Sequence, residues 1–548
     1  MAPRIQVVSP NGTPAPSAPR TFYLTQDRWD DFGFKTQYHL SYMTASGQLS
    51  HIGNVKILQS NQPTTNSSLL DQPFDELADD FCSLGQSLDY YQRIAEMPED
   101  DRNYILGALK DIVRTPARRA HFQNEMGWTK SVLRDFDSLD EFLPLASTIL
   151  EQNYSELPSL DAHFAFKMSG WSSPVEFAFN APQVPDTRTW TERMAGGPLA
   201  ELPRRISVVI GRNGSGKSTL LARLARFAHA SRGDRLRPKL AQLGELTPVG
   251  LGFSRVITVS YSGFDNFQVP GLTQRERRTI SEELARGTGR FIFCGLRDIG
   301  AELVSELEQQ SVTDDPNAPL EDRQQTTTLK SAQTLSAEFA RTVERIRTNV
   351  RGPLLARALQ PILADPSFND LRATLFSQLM NEDCEQLFLG WSTGHKIVMH
   401  VICSLVAYVE PRALVLFDEP ETHLHPPLLA SLMHSLRSVL TEKDAYAVVA
   451  THSPVVLQET MARHVHVISR EGEQTVVHRP VAETFGENIG ILTSSVFNLT
   501  SEVTDFNETL RRLAGQVQNL DDLEMLFETS GLSLQARAYV MSVLASSR

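Results

Sequence analysis

Cysteine is scarce and scattered. The 548 residues hold four, Cys82, Cys294, Cys384 and Cys403, and none forms a C-x-x-C pair. That spacing fits neither a zinc ribbon nor a disulfide framework, and it suits a reducing, cytoplasmic setting. Long apolar runs are lacking too. The most apolar stretch, Ile397 to Phe417, is broken by His400, Glu410, Pro411 and Arg412 before it reaches the roughly 20 residues that span a bilayer, so no membrane partner is expected. Positive charge is in deficit: 52 Lys and Arg against 65 Asp and Glu leave a net charge of -13. Such a field repels polyanions, so DNA or RNA contact would need a local basic patch, for which Arg114 to Arg119 and Arg275 to Arg278 are the candidates. No a/d heptad persists for three or four repeats, which excludes a long coiled-coil arm, and no internal repeat is visible.

What remains describes a mainly globular chain long enough for two to four structural regions. Residues 1–20 are rich in Pro, Ala and Ser and read as a disordered leader. Residues 21–200 read as the N-terminal part of a head. Short runs alternating around Gly47 and Gly53 predict strands to about Asn61, and the spacing of Leu77, Phe81, Leu84 and Leu88 predicts helices between Phe74 and about Leu150. Strand-like pieces return at His163 to Phe166 and Val175 to Phe179. Residues 201–267 carry two strands, Arg205 to Ile210 and Val256 to Ser260. Charge and helical spacing then mark 268–384 as a helical insertion, within which Ser311 to Thr328 is loop-like. Residues 385–482 return to a β-α-β pattern, with strands Ala413 to Phe417 and Ala445 to Ala450. Residues 483–548 form a helical tail with apolar Leu510, Leu513, Val517 and Leu520. The class is α/β with a mixed sheet.

Gly211-Arg212-Asn213-Gly214-Ser215-Gly216-Lys217-Ser218 matches G-x-x-x-x-G-K-[ST], follows a predicted strand and opens the helical run Thr219 to His229. Gly211, Asn213, Gly214, Gly216 and Thr219 belong to a loop whose backbone N–H groups turn toward phosphate oxygens at a helix N-terminus. Lys217 would reach the β- and γ-phosphates of ATP, and the Ser218 hydroxyl would sit on Mg²⁺. Leu414-Val415-Leu416-Phe417-Asp418-Glu419 is a buried strand ending in two carboxylates, a Walker B pattern. Asp418 would hold Mg²⁺ through its water shell, and Glu419 would polarise the attacking water. Thr451-His452-Ser453-Pro454 follows the next strand, which brings His452 to the same edge as a γ-phosphate contact. Trp391-Ser392-Thr393-Gly394-His395-Lys396 precedes another helix. Its Ser392 and Gly394 make a second anion-binding N-terminus that could serve a neighbour's nucleotide.

This order of motifs resembles the ATP-binding-cassette class of P-loop ATPases over about 201–265 and 385–455. The resemblance implies ATP hydrolysis with Mg²⁺ and a head-to-tail homodimer or higher oligomer, in which Ser392 and Gly394 of one copy close the other's nucleotide. It also places Gln268 where the class often has a glutamine that senses Mg²⁺ and water. The signature departs from L-S-G-G-Q at Trp391, Thr393 and His395-Lys396. Asp418-Glu419-Pro420-Glu421-Thr422-His423-Leu424-His425-Pro426 looks like the corresponding loop of AAA-type cassette proteins related to OLD, RecF and SMC proteins. His423 and His425 lack further ligands at metal spacing and read as a subunit-contact loop. OLD proteins add a Toprim nuclease with a D-x-D, and no D-x-D follows His452.

A narrower likeness, to the ATPase subunit of Septu and retron anti-phage systems, rests on Ser260 to Phe267, Cys294-Gly295-Leu296-Arg297 and Phe485 to Gly490. It implies a separate nuclease effector subunit under ATPase control. The rival readings are a RecF- or SMC-like DNA-repair ATPase and a nucleotide-gated assembly scaffold with little hydrolysis; a transporter subunit fits least.

Overall fold

The computed structural model describes residues 4–10, 12, 19–28, 31–45, 47–64, 69–136, 139–152, 163–179, 202–309, 320, 322, 327–471, 474–495, 505–517, 519–527 and 531–546. Most of the loop expected at Ser311 to Thr328 lies outside them.

The N-terminal region is built on five strands, β1 (Ile5–Val8), β2 (Phe22–Gln26), β3 (Gln37–Met43), β4 (Leu49–Gln59) and β5 (Phe81–Gly85), in that spatial order. The first corrects the reading of residues 1–20 as a disordered leader. Ile5-Gln6-Val7-Val8 is a β-branched run that pairs in parallel with Phe22 to Thr25, and the Ile5 side chain is 0% exposed. Average composition hid a short strand whose partner lies downstream. β5 corrects the helical reading of Phe74 to Leu88: Phe81 to Gly85 pairs antiparallel with Val55 to Gln59, and the apolar spacing there is that of a strand followed by a helix start. Helices begin at Leu88–Ala95, where the Ser87 hydroxyl accepts the Tyr90 N–H. That helix and Leu139–Glu151 bury Tyr90, Tyr91, Leu145 and Ile149 in a common core with the sheet.

β6 (His163–Met168) and β7 (Val175–Ala178) form a hairpin. The central sheet then starts with β8 (Ile206–Gly211), β9 (Gly244–Thr247) extends the hairpin into a three-stranded antiparallel sheet, and the remaining strands are β10 (Val256–Ser260), β11 (Phe291–Gly295), β12 (Leu414–Asp418), β13 (Tyr446–Ala450), β14 (Val465–Glu471) and β15 (Gln474–His478). The central order is β11-β10-β12-β13-β8-β14-β15, parallel throughout except for the final β14–β15 pair. The mixed α/β class is thus realised. Strands buried on both faces read as continuous apolar runs, and β10, β12 and β13 are buried at every position.

β11 lies inside the segment read as a helical insertion. Phe291-Ile292-Phe293-Cys294-Gly295 pairs with β10 at the sheet margin, and the charged helices on either side of it obscured a five-residue strand. The rest of 268–384 is mainly helical, with Gln274–Arg286, Ala332–Thr348 and Gly352–Ala364 as its long elements.

Two ion pairs tie the N-terminal helices to this core: Asp89 to Arg290 at 2.7 Å and Arg93 to Glu283 at 2.6 Å. Burial pushes the Asp89 carboxyl up, but Arg290 and His229 outweigh it and hold the group well below the usual carboxylate range. Residues 486–548 contain a separate helical unit with its own core of Leu510, Ala514, Leu523, Leu532 and Val540. Among the described residues no helix is long and apolar enough to cross a membrane.

Candidate functional site

β12, β13 and β8 are neighbours, and their registers, Asp418 opposite Ala450 and Ala450 opposite Val209, bring three carboxyl ends to one edge. That edge is where open α/β sheets bind ligands. The chain leaves β8 at Gly211, where a Cβ would stand 2.5 Å from the Ile468 carbonyl oxygen and 2.7 Å from Ser215 Oγ, so only glycine fits. Gly214 and Gly216 take φ of 77° and 95°, the left-handed region, and wrap the loop around its own N–H groups. Helix Lys217–His229 follows with no side chain capping its first turn, which leaves those N–H groups for an anion. The Trp171 ring, from the β6–β7 turn, lies 3.4 Å from where a Gly216 Cβ would be.

Lys217 is buried. Its ammonium donates to the carbonyls of Gly211 (3.0 Å) and Arg212 (3.3 Å) and stands 2.6 Å from His452 Nε2. Burial lowers the Lys217 pKa, opposed by Asp418, Glu419 and Glu421. His452 is pushed down to about 4 by burial and then by Lys217, so its ring is neutral and Nε2 accepts.

Asp418, at the end of β12, is 2% exposed, takes the Ser218 hydroxyl on one oxygen and has no partner for Oδ1. Burial, with Glu419 and Asp265 adding, pushes it up to about 7 against the pull of Ser218 and Lys217. Glu419 turns the chain sharply: its φ is 48°, and its N–H donates to the Ala450 carbonyl at 2.8 Å. A non-glycine residue held there stores roughly 1–3 kcal/mol of strain, which the β12–β13 pairing must offset. Glu421 ties this turn to the next strand's end, accepting the Thr451 hydroxyl at 2.7 Å and the His452 N–H at 2.6 Å, while Thr451 Oγ1 accepts the Ser453 N–H. Burial raises the Glu421 pKa.

Lys217, Ser218, Asp418, Glu419 and His452 therefore come together, with Gly211, Asn213, Gly214, Gly216 and Thr219 in and beside their loop. Gln268 does not join them. Its Oε1 takes a guanidinium N–H of Arg226, nine residues and about 13 Å along the helix from Lys217, and this corrects the expectation that Gln268 meets the metal. Asp265 and Asn266, earlier in the same segment, lie nearer the phosphate loop and Asp418. Asn266 Nδ2 donates to Thr219 Oγ1 at 3.1 Å, and Asp265 acts electrostatically on Asp418.

Ser392 is exposed and caps helix Thr393–Tyr408, its hydroxyl accepting the His395 N–H, with Gly394 in the first turn. The departure at Trp391 is a half-buried residue, its ring packed edge-on to Phe339 and Phe388. His425 caps helix Pro426–Lys443, and among the described residues no three His, Cys, Asp or Glu gather as a metal cluster.

Residues 304–458 match the family described as "AAA domain, putative AbiEii toxin, Type IV TA system"; that span holds β12, β13 and Ser392, with the phosphate loop upstream of it. Over 520 residues the chain is 31% identical to protein ea59 of Escherichia phage lambda, across 92% of this chain and 90% of that protein. The chain belongs to the ea59 family, and it contains an AAA-type P-loop ATPase domain. Among solved structures, an SMC head bound to the C-terminal winged-helix domain of ScpA overlaps 59% of this chain and 98% of that one, at 13% identity and a TM-score of 0.25. UvrA2 from Deinococcus radiodurans overlaps 64% and 42%, at 14% identity and 0.27. The nucleotide-free ATP-binding cassette of an ABC transporter overlaps 62% and 98%, at 12% identity and 0.26. Overlaps at such scores carry no argument, and the fold assignment stands on the strand order and the phosphate loop.

Proposed function

We propose that this chain binds and hydrolyses ATP with Mg²⁺ and closes on a second copy of itself around the nucleotide, the closed state controlling a partner effector. The observation that carries the reading is the gathering of Lys217, Ser218, Asp418, Glu419 and His452 at one sheet edge, beside an uncapped helix N-terminus. The unpartnered, buried Asp418 Oδ1 and the Ser218 hydroxyl are hard oxygen donors of the kind Mg²⁺ takes, together with phosphate oxygens. When bound, the metal would neutralise charge developing on the phosphates. Lys217 and the first-turn N–H groups hold the triphosphate, Glu419 orients the attacking water, and His452, once Lys217 has left and the neutral ring carries its proton on Nε2 in place of Nδ1, donates toward the γ-phosphate. Ser392, exposed at the start of a 16-residue helix, would in this reading meet nucleotide held by the other copy.

The partner's identity as a nuclease in anti-phage defence is the finest part of this proposal, and it rests on the likeness to Septu and retron ATPases alone. Two of the three segments behind that likeness have work inside the chain: Tyr261 bonds His400 at 2.8 Å, and Arg297 clamps Asp265 at 2.6 Å. Direct nucleic-acid binding is not favoured, because Arg118, Arg119 and Arg277 of the candidate patches pair with Asp79, Asp140 and Glu306.

The test is ATP turnover together with sedimentation. Glu419→Gln should bind ATP with Mg²⁺ and accumulate as a dimer while turnover falls about 10²–10⁴-fold, and Lys217→Ala should lose binding. Normal hydrolysis by Lys217→Ala would overturn the site, and a Glu419→Gln chain that stays monomeric with ATP would overturn the closure. Mass spectrometry of material purified from the native host identifies the partner.

A further inference from the structure

We propose that Asp265 supplies a second carboxylate to the shell of the nucleotide-bound divalent cation, held in place by Arg297, and that Gln268 takes no part. This rests on the nucleotide-site reading above and adds a residue to it.

β10 and β12 are adjacent parallel strands, with Ser260 directly opposite Asp418. Neighbouring strands are about 4.8 Å apart, so Ser260 sits beside the Walker B carboxylate. The chain runs on through Tyr261 to Phe264 and turns back, so that the Asp265 carboxyl comes close enough to the Ser260 side chain to be influenced by it. Asp265 therefore returns to the strand next to Asp418. Its neighbour Asn266 fastens the same loop to Thr219 of the phosphate-loop helix.

Arg297 fixes which way Asp265 faces. Its Nη1 donates to Asp265 Oδ1 at 2.6 Å and to the carbonyls of Asp265 and Phe267 at 2.7 and 3.1 Å, while Nε and Nη2 go to Glu302. Oδ1 also accepts the Phe267 N–H at 2.9 Å. One guanidinium is thus shared between two buried carboxylates and neutralises only one. Asp265 is 7% exposed, yet its Oδ2 has no hydrogen-bond partner, and neither does Oδ1 of Asp418.

An unpaired buried carboxylate oxygen costs about 1–3 kcal/mol or more, so a cation that satisfied both Asp265 Oδ2 and Asp418 Oδ1 would recover that cost at two positions. Two orphaned carboxylate oxygens beside the phosphate loop are the donor set that Mg²⁺ uses: one or two carboxylates, phosphate oxygens and water. Gln268 has its Oε1 committed to Arg226 and lies toward the far end of that helix.

The experiment is isothermal titration of ATP into the full chain, in EDTA and in Mg²⁺, for wild type, Asp265→Asn and Gln268→Ala. Asp265→Asn keeps an acceptor for Arg297. It should cut the Mg²⁺ enhancement of ATP affinity about 10–100-fold while leaving affinity in EDTA unchanged, and Gln268→Ala should keep the full enhancement. Full enhancement in Asp265→Asn, or its loss in Gln268→Ala, overturns the inference and leaves the nucleotide site standing. A wild type that binds ATP in neither buffer overturns both. Should Asp265→Asn fail to fold by circular dichroism, wild type loaded with Fe²⁺ and ATP and treated with hydrogen peroxide and ascorbate decides: backbone cleavage near 265 as well as near 218 and 418 is expected, and cleavage confined to the latter two overturns the assignment.

Discussion

Lys217 illustrates how the site holds its charges apart from solvent. Its ammonium rests on two loop carbonyls and on a neutral imidazole, so His452 must be positioned well for that contact and for any later contact with phosphate. The residue that positions it is Glu421, which holds the Thr451 hydroxyl and the His452 N–H on its two oxygens. Glu421→Gln replaces one of these two acceptors with an amide N–H₂, so either the Thr451 hydroxyl must turn its proton away or the His452 N–H loses its partner. Misplacement of a catalytic group by about 1 Å costs of order 10²-fold in rate. Steady-state kinetics should therefore show kcat falling about 10–100-fold for Glu421→Gln with little change in ATP affinity. An unchanged kcat would return Glu421 to a structural role.

At the scale of elements, the site depends on strands whose partners lie far along the chain. β8 and β13 are separated by more than two hundred residues, and Gly211, the last residue of β8, must be glycine because the Ile468 carbonyl of β14 stands where a side chain would be. The N-terminal sheet shows the same dependence in its first strand. Ile5 is fully buried between β2 and the segment at Phe74, whose N–H and C=O it exchanges in two hydrogen bonds. Ile5→Ala should destabilise the chain by about 2–5 kcal/mol, read by denaturant unfolding. A disordered leader would register nothing.

Across the molecule, burial holds several histidines neutral, among them His39, His400, His452 and His466. His400, on the buried face of the helix that Ser392 caps, lies among Tyr261, Phe339 and Phe388, and burial, with Lys330 adding, pushes it down to about 3. A free histidine titrates near 6.5. Between those values the unfolded chain binds a proton that the folded chain refuses, so the His400 contribution to stability declines as pH falls from 6.5 toward 3. From pH 7 to pH 5, wild type should lose about 2 kcal/mol more stability than His400→Gln. Parallel pH dependences of the two unfolding curves would show that His400 titrates normally. The sign is opposite at Asp418, where the pKa raised to about 7 favours the folded state as pH falls from 7 toward the unfolded value.

The phosphate loop and the Asp418-Glu419 strand end were legible in sequence alone. Their chemistry needs glycines, a lysine and carboxylates on one unbroken backbone run, where spacing and side-chain identity are local facts. Three-dimensional packing decided what a linear run cannot express. The partners of Ile5–Val8, Phe81–Gly85 and Phe291–Gly295 lie elsewhere in the chain, so short strands there were masked by local composition or helical spacing. Whether Asp265 or Gln268 faces Asp418 depends on Arg297 and Arg226, brought in from two other segments by hydrogen bonds that only the folded chain can make.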